Sequence, residues 1–523
     1  MKNFLTGNYG RRDFLKAGAL AGAALAGGTS FVDHFGNPLV TEARAATPKR
    51  GGMLIHGIQG GSAGDSLDPF KVLSAADYAR FTALYETLWS ASAAYTIDPW
   101  LIESGEPNAT LDEWTIRLKK GIQFHHGKTL SADDVIYSAQ RCLDPATGAI
   151  YGGLLATLDL KETKKLDERT VRFKLKSGMI CFPEAASLAL PIVPTDFDLA
   201  KPVGTGPFKL QSFVPGQQSV MVRNENYWRD GRPYVDGITH VNFNDETARI
   251  NALQGGQINM ADFVSFPLIR VLAADTSLQI NRSETVSFIP LNVRVDQKPY
   301  DDVRVREALK LLVDRDAMVK GAYLGEGRIA NDLYAPLDPL FNKDLPRRQH
   351  DPDKAKFLLK QAGFENLQVE LTTSDLGSGV LTSTELYAAQ ARSAGVDVKL
   401  NKVDSAAFYG DQYGKWSFSP NLQPPYNYFV TLMQADGPTS SLNLSHFNDE
   451  EFSGLFYKAL AEADDAKRTS MAHRMQEIQY QKGGTIIWGF QNSVDFTRGV
   501  AGIAPDVSGF STYRSADLWI EEQ

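Results

Sequence analysis

Cysteine is nearly absent from the 523 residues, and Cys142 and Cys181 are too few for a cysteine zinc site. In an oxidising compartment the two can pair. A loop of that length would contribute about 3–4 kcal/mol in the chain-entropy picture, and the sequence leaves the pairing open. H-E-x-x-H does not occur, and His446 and His473 stand alone. His125-His126 are adjacent, which on a strand sends them to opposite faces, so they read as a surface turn rather than a metal site. Clusters of basic residues are also missing. The formal charge is −8, and −10 once the first 45 residues are set aside. That argues against a nucleic-acid partner, which needs clustered Lys and Arg; Lys161–Lys165 and Arg347-Arg348 read as solvated surface. No internal run reaches the roughly 20 apolar residues of a membrane span, and no period of 20–50 residues repeats. What remains, 43% hydrophobic and 22% charged residues, has the balance of a globular protein of two or three domains.

The first 45 residues read as a targeting segment. Gly10-Arg11-Arg12-Asp13-Phe14-Leu15-Lys16 resembles a twin-arginine export motif, with Gly10 where Ser or Thr is usual. The Ala/Gly-rich run Ala17–Gly28 is too short and too weakly apolar for a stable anchor, and Ala43-Arg44-Ala45 is an A-x-A cleavage site. No cysteine lies near it. The mature chain is therefore expected near Ala46, free in the periplasm and not lipid-anchored.

Trp114, Ile116 and Leu118 alternate with Thr115, Arg117 and Lys119, the period-two pattern of a half-buried strand. Ile122–Phe124 is expected as a second short strand, His126-Gly127 as a turn, and Ser131-Ala-Asp-Asp134 as a capping box. Further strands are expected at Gly51–Ile55, Val171–Leu175, Val220–Val222, Ile289–Val293 and Ile486–Trp488. Helices are expected over Asp77–Trp89, after Asp301-Asp302, after Asp351-Pro352, after Asn448–Glu451 and over about Ala466–Lys482. This irregular alternation favours mixed α/β domains.

Two motifs bear on chemistry. Gly60-Gly61-Ser62-Ala63-Gly64 matches G-x-S-x-G, but turn residues follow where a nucleophile elbow needs a helix. A flexible loop is the better reading, with a secreted serine hydrolase using Ser62 as the rival. Trp416–Phe429, WSFSPNLQPPYNYF, holds five aromatics, three prolines and no charge. It reads either as a loop tucked onto a core or as a rigid pocket wall that stacks on a ligand.

Taken in order, these landmarks resemble the family 5 extracellular solute-binding proteins, the peptide/opine/nickel binders of ABC importers. The matching pieces are Gly51–Leu54 with Asp65–Pro69, Tyr85–Leu88, Trp114–Val135, Pro202–Phe208, Arg223–Trp228, Asp302–Arg306 with Asp314-Arg315, and Asp351–Ala355 with Ala362-Gly363. The resemblance implies an α/β, two-lobed periplasmic binding-protein fold of type II and of the large peptide-binding class. Lobe one would hold a sheet domain (46–81, 192–285, 492–523) with an extra inserted domain (82–191). Lobe two would be 286–491, with chain crossings near Thr285 and Gln491. It further implies a non-enzymatic protein that closes on a small solute and delivers it to an ABC permease with its ATPase subunits. A monomer with no cofactor is expected. A non-transport carrier or chaperone on the same fold is a second rival. Ligand contacts are assigned to Trp416, Phe418, Ser419, Tyr426, Tyr428, Trp488 and Asp68. Peptide-binding relatives carry an acid where Ser419 stands, which puts free peptides in doubt unless Asp68 or another acid substitutes; an opine, modified peptide or sugar conjugate suits the uncharged wall. No histidine cluster supports nickel.

Overall fold

The computed structural model describes residues 47–438, 440 and 442–521. The targeting segment 1–45 lies outside the described residues.

Two lobes are built around separate sheets. The largest sheet runs in the order Gln279–Phe288, Gly489–Thr497, Met260–Ala261, Met53–Gln59, Gly237–Phe243, Gln218–Arg223, Phe208–Val214, with Gly327–Ile329 added beside Gly489–Thr497. Met53–Gln59 pairs in parallel with both its neighbours, and its middle residues are buried. A strand in that position needs cover on both faces. Ala76 and Ala79 of the helix Ala75–Leu84 pack near Ile58 on one side, and the helix Glu246–Gln254 lies on the other. Gly57 leaves room on that second face, where a Cβ would lie 3.3 Å from Arg249 Cγ of the helix and 2.4 Å from Ile258 Cδ1 just beyond it.

The inserted sheet is antiparallel, in the order Ile102–Pro107, Glu113–Leu118, Thr170–Lys174, Lys164–Asp167. The alternation anticipated for Trp114, Ile116 and Leu118 holds, and all three are buried. The capping box also forms: the Asp134 carboxylate accepts from Ser131 N at 3.0 Å and starts the helix Ala132–Leu143. Ile122–Phe124 does not form a strand. Its backbone folds into a tight turn held by Phe124 N to Lys128 O, leaving a single bridge between Gln123 and Thr129.

The second lobe carries a three-stranded sheet (Phe418–Pro420, Leu291–Val293, Thr485–Ile486) and a parallel pair, Gln368–Thr373 with Asp397–Lys402. Helices surround them. Asp302, Asp351 and Asp449 cap three of these through the backbone N–H groups of Arg304, Lys354 and Phe452, as the sequence pattern indicated. Instead of a strand over Ile486–Trp488, the chain makes the two-residue strand Thr485–Ile486 and then the long Gly489–Thr497.

The helix expected over Asp77–Trp89 spans Ala75–Leu84 and stops five residues early. Tyr85 is extended, and the next residues are claimed by distant backbone. Gly206 N donates to Leu84 O, Ile192 N donates to Glu86 O, and Thr87 bridges Pro191. Gly204 makes this approach possible, since a Cβ would fall 2.0 Å from the Leu84 carbonyl oxygen.

The two cysteines are not bonded to each other, and both are buried. The Cys142 thiol donates to Ala189 O at 3.2 Å, and burial pushes it up to about 12. The His125-His126 turn is not simply surface. His125 is clamped between Gly204 N and Gly206 O, and burial lowers it to about 4, while His126 reaches Asp196 at 3.4 Å. The two rings thus point to different partners.

A solute-sized cavity between the lobes

The extended stretch after Leu84 leads into a cavity of about 500 Å³, within the range of small-molecule sites. Its walls come from five parts of the chain: residues 69–100, residues 151 and 184–188, residues 207–229, Phe263 with 506–517, and Pro424–Val430. Eleven aromatic rings line it, among them Tyr78, Phe81, Tyr95, Trp100, Tyr426 and Phe510. Rings with two rotatable angles lose little entropy on binding, so this wall is apolar yet already ordered. Burial holds the phenols above their usual range, Tyr78 at about 12, so they remain O–H donors through neutral pH.

Several rings are fixed from behind. Glu86 is buried with no cation in hydrogen-bond contact, yet its carboxylate accepts from four neutral donors. Trp100 Nε1 (2.7 Å) and Tyr227 Oη (2.8 Å) reach Oε1, Thr205 Oγ1 (2.8 Å) reaches Oε2, and Trp228 Nε1 spans both oxygens. Burial raises its pKa, and the four donors oppose the rise. On the far wall, Tyr513 donates to Asp262, which also binds Arg249 at 2.8 Å. Both guanidinium groups in the lining are already engaged. Arg229 makes a paired contact with Asp517, at 2.9 Å and 3.3 Å, and Arg514 pairs with Asp506.

The residues assigned from sequence divide sharply. Tyr426 lines the cavity, together with Pro424, Pro425 and Asn427 of the same segment. Phe418 lies in the second-lobe core, 5.5 Å from the Tyr387 ring and 6.0 Å from Tyr300. Ser419 is buried in the strand pairing with Asn292. Trp416 is half-buried, stacks on Phe408 and donates to Phe408 O at 3.1 Å. Tyr428 is buried with its hydroxyl on Gln479, and Trp488 packs 4.3 Å from the Tyr323 ring. Asp68 closes its own turn through Phe70 N and meets Arg141 at 3.5 Å; its neighbour Pro69 faces the cavity. None of these five side chains nor that of Asp68 is part of the lining.

Sequence reasoning missed most of the wall. Tyr78, Phe81 and Tyr85 lie in a stretch that reads only as part of the helix Asp77–Trp89, and the 506–517 segment carries no pattern. Glu184 did leave a signal, as the one charged residue in the apolar run Phe182–Ala189. Ser62 is engaged locally: its hydroxyl accepts from Gly64 N and its amide donates to Asp65, and the next helix after it does not begin until Ala75.

A cavity of this size, walled by ordered aromatic side chains from five separate parts of the chain, has the character of a small-solute binding site. The chain belongs to the bacterial extracellular solute-binding proteins, family 5, whose family model matches residues 96–449. Heme-binding protein A of Haemophilus influenzae is 27% identical over 463 residues, covering 79% of this chain and 81% of that protein. The dipeptide-binding protein of Escherichia coli K12 is 26% identical over 434 residues, 74% of this chain and 80% of its own. Among solved structures, the PBP AgaA in complex with agropinic acid, from A. tumefaciens R10, superposes with a TM-score of 0.78 at 24% identity, covering 90% of this chain and 99% of that one. The chain is thus the periplasmic, solute-capturing component of an ABC importer, and its partners are a small-molecule ligand and a membrane permease.

Proposed function

We propose that the 500 Å³ cavity is the solute site and that its solute is a small amphipathic molecule: a peptide, modified peptide, opine or sugar conjugate. The observation that carries this reading is the aromatic lining supplied from both sides, Tyr78 and Trp100 against Pro424–Asn427. A ligand touching both walls lowers the free energy of the closed form relative to the open one, which is the physical requirement for capture by closure. On this reading the ligand contacts move from Trp416 and Phe418 to Tyr426 and the rings of the opposite wall.

The division of the chain follows the same logic. Residues 46–81, 192–285 and 492–523 would form the sheet domain of lobe one, 82–191 its insert, and 286–491 lobe two. The crossings near Thr285 and Gln491 fit strands that touch: Thr285 Oγ1 donates to Gln491 O at 2.7 Å, where the pairing of Gln279–Phe288 with Gly489–Thr497 shifts register after Glu284. The chain would act without catalysis or a nucleic-acid partner, as a monomer exported by the twin-arginine route and not lipid-anchored. The local engagement of Ser62 supports the non-catalytic part.

Native mass spectrometry of freshly purified protein tests the site. A co-purified solute is expected with the wild type and lost with Tyr426→Ala. A solute retained in full by that variant would remove the cavity assignment.

A further inference from the structure

The charges around the cavity do not balance. Its lining holds four carboxylates, Glu86, Glu184, Asp506 and Asp517, against two guanidinium groups, Arg229 and Arg514. Asp506 and Asp517 are spent on those arginines, and Glu86 on its four neutral donors. Glu184 alone is left over. Its Oε2 is buried and has no hydrogen-bond partner. The helix Phe182–Ala189 turns Glu184, Ser187 and Leu188 together toward the cavity, at the spacing that puts three residues on one helix face. Tyr95 lines the same cavity, and its buried hydroxyl also lacks a partner.

We propose that Glu184 is the anchor for a positively charged nitrogen on the solute, with the Tyr95 ring and hydroxyl as a further part of the same lining, and that the solute is an amphipathic organic cation with an ammonium-type group. This rests on the cavity being the solute site. A buried carboxylate with a free oxygen costs stability unless something compensates it, and an ammonium donor supplies both the charge and the missing hydrogen bond. A free carboxylate on the solute would find no unengaged cation among the lining residues, so a cation lacking one fits better than a free peptide. The charges acting on Glu184 are Asp338, which opposes its ionisation, and Arg468, which favours it; Arg468 is itself held by Asp465 and Glu462 O. Burial pushes Glu184 up to about 7 when the cavity is empty. A bound cation lowers that value, so affinity for a cation rises with pH through the region below 7 and levels off above it.

The test uses a matched pair of probes, 6-phenylhexylamine and 6-phenylhexan-1-ol, titrated calorimetrically into the purified mature protein. The amine keeps its charge from pH 5 to 8.5, as a lysine does. At pH 8 the amine is expected to bind at least about tenfold more tightly than the alcohol, about 1.4 kcal/mol. Glu184→Gln should abolish that preference while leaving the alcohol's affinity unchanged. The variant's unfolding midpoint should equal or exceed the wild type's, since an uncompensated buried charge has been removed. Amine and alcohol binding alike, or a preference that survives Glu184→Gln, would overturn the assignment and leave Glu184 as a helix-start residue. Failure of the amine to bind the wild type would overturn it as well. Neither result touches the cavity reading, which stands or falls on the co-purified solute and Tyr426→Ala.

Discussion

Removing the Glu86 carboxylate tests whether the cavity wall is ordered from behind. Five contacts from four donors converge on its two oxygens, and two of the donor side chains, Trp100 and Tyr227, face the cavity. In Glu86→Ala, water entering through the cavity can satisfy Trp100 and Tyr227. Thr205 Oγ1 is buried and Trp228 Nε1 partly so, and both lie outside the lining; each loses the carboxylate, at about 1–3 kcal/mol for each donor that stays unpaired. Relief of the carboxylate's own desolvation offsets part of this. The net expectation is a destabilisation of about 3 kcal/mol. Glu86→Gln keeps one carbonyl oxygen, which retains Trp100 and Tyr227 if it sits at the Oε1 position. Thr205 can reverse its hydroxyl to accept from the new amide, so this variant should lose only about 1 kcal/mol. Urea unfolding at pH 7, followed by tryptophan fluorescence, separates the two. Solute retention in native mass spectrometry should fall for Ala and persist for Gln. An Ala variant within 0.5 kcal/mol of the wild type, or a Gln variant less stable than Ala, would refute the reasoning.

Other consequences are more local. Tyr426→Ala should weaken solute binding by about 1–3 kcal/mol, whereas Trp416→Ala, whose ring stacks on Phe408, should leave calorimetric affinity unchanged. Asp495 is buried and pushed up to about 7, so the folded state holds a proton that the unfolded state releases near pH 4; stability therefore falls as pH rises from 4 to 7, and Asp495→Asn should flatten that slope in thermal unfolding. Gly57→Ala should cost about 1–3 kcal/mol through overpacking against Ile258 and shift the urea midpoint accordingly.

Local patterns were readable wherever a single short segment determines them. The alternation at Trp114–Leu118, the Ser131–Asp134 box and the Asp351-Pro352 start all depend on residues within a turn or a strand of each other. The end of the helix at Leu84 does not. Tyr85 and Leu88 continue an apolar period, and partners over a hundred residues away, Gly204 and Gly206 with Pro191 and Ile192, hold that backbone out of the helix. The site was half legible for a related reason. In WSFSPNLQPPYNYF the aromatic and proline content suits a core and a pocket equally, and the chain uses it for both. Phe418 and Tyr428 enter the interior while Pro424–Asn427 face the cavity. The opposite wall is assembled from stretches that share no local period, so no window of sequence contains it. Glu184 went unread as well, although a lone acid in the apolar run Phe182–Ala189 is a local signal.

The paired strands Gln279–Phe288 and Gly489–Thr497 have a mechanical consequence. Two independent peptide linkers would let the lobes splay, slide and rotate in any direction. On the proposed division of the chain these two strands would be the linkers. They are joined by a hydrogen-bonded ladder that is itself one edge of the largest sheet, so stretching or sliding one against the other would break ladder bonds. The register shift after Glu284 marks the softest point of that ladder. With sliding and separation opposed in this way, rotation about the paired strands would be the movement left to the lobes, and a solute touching both walls would bias that one coordinate.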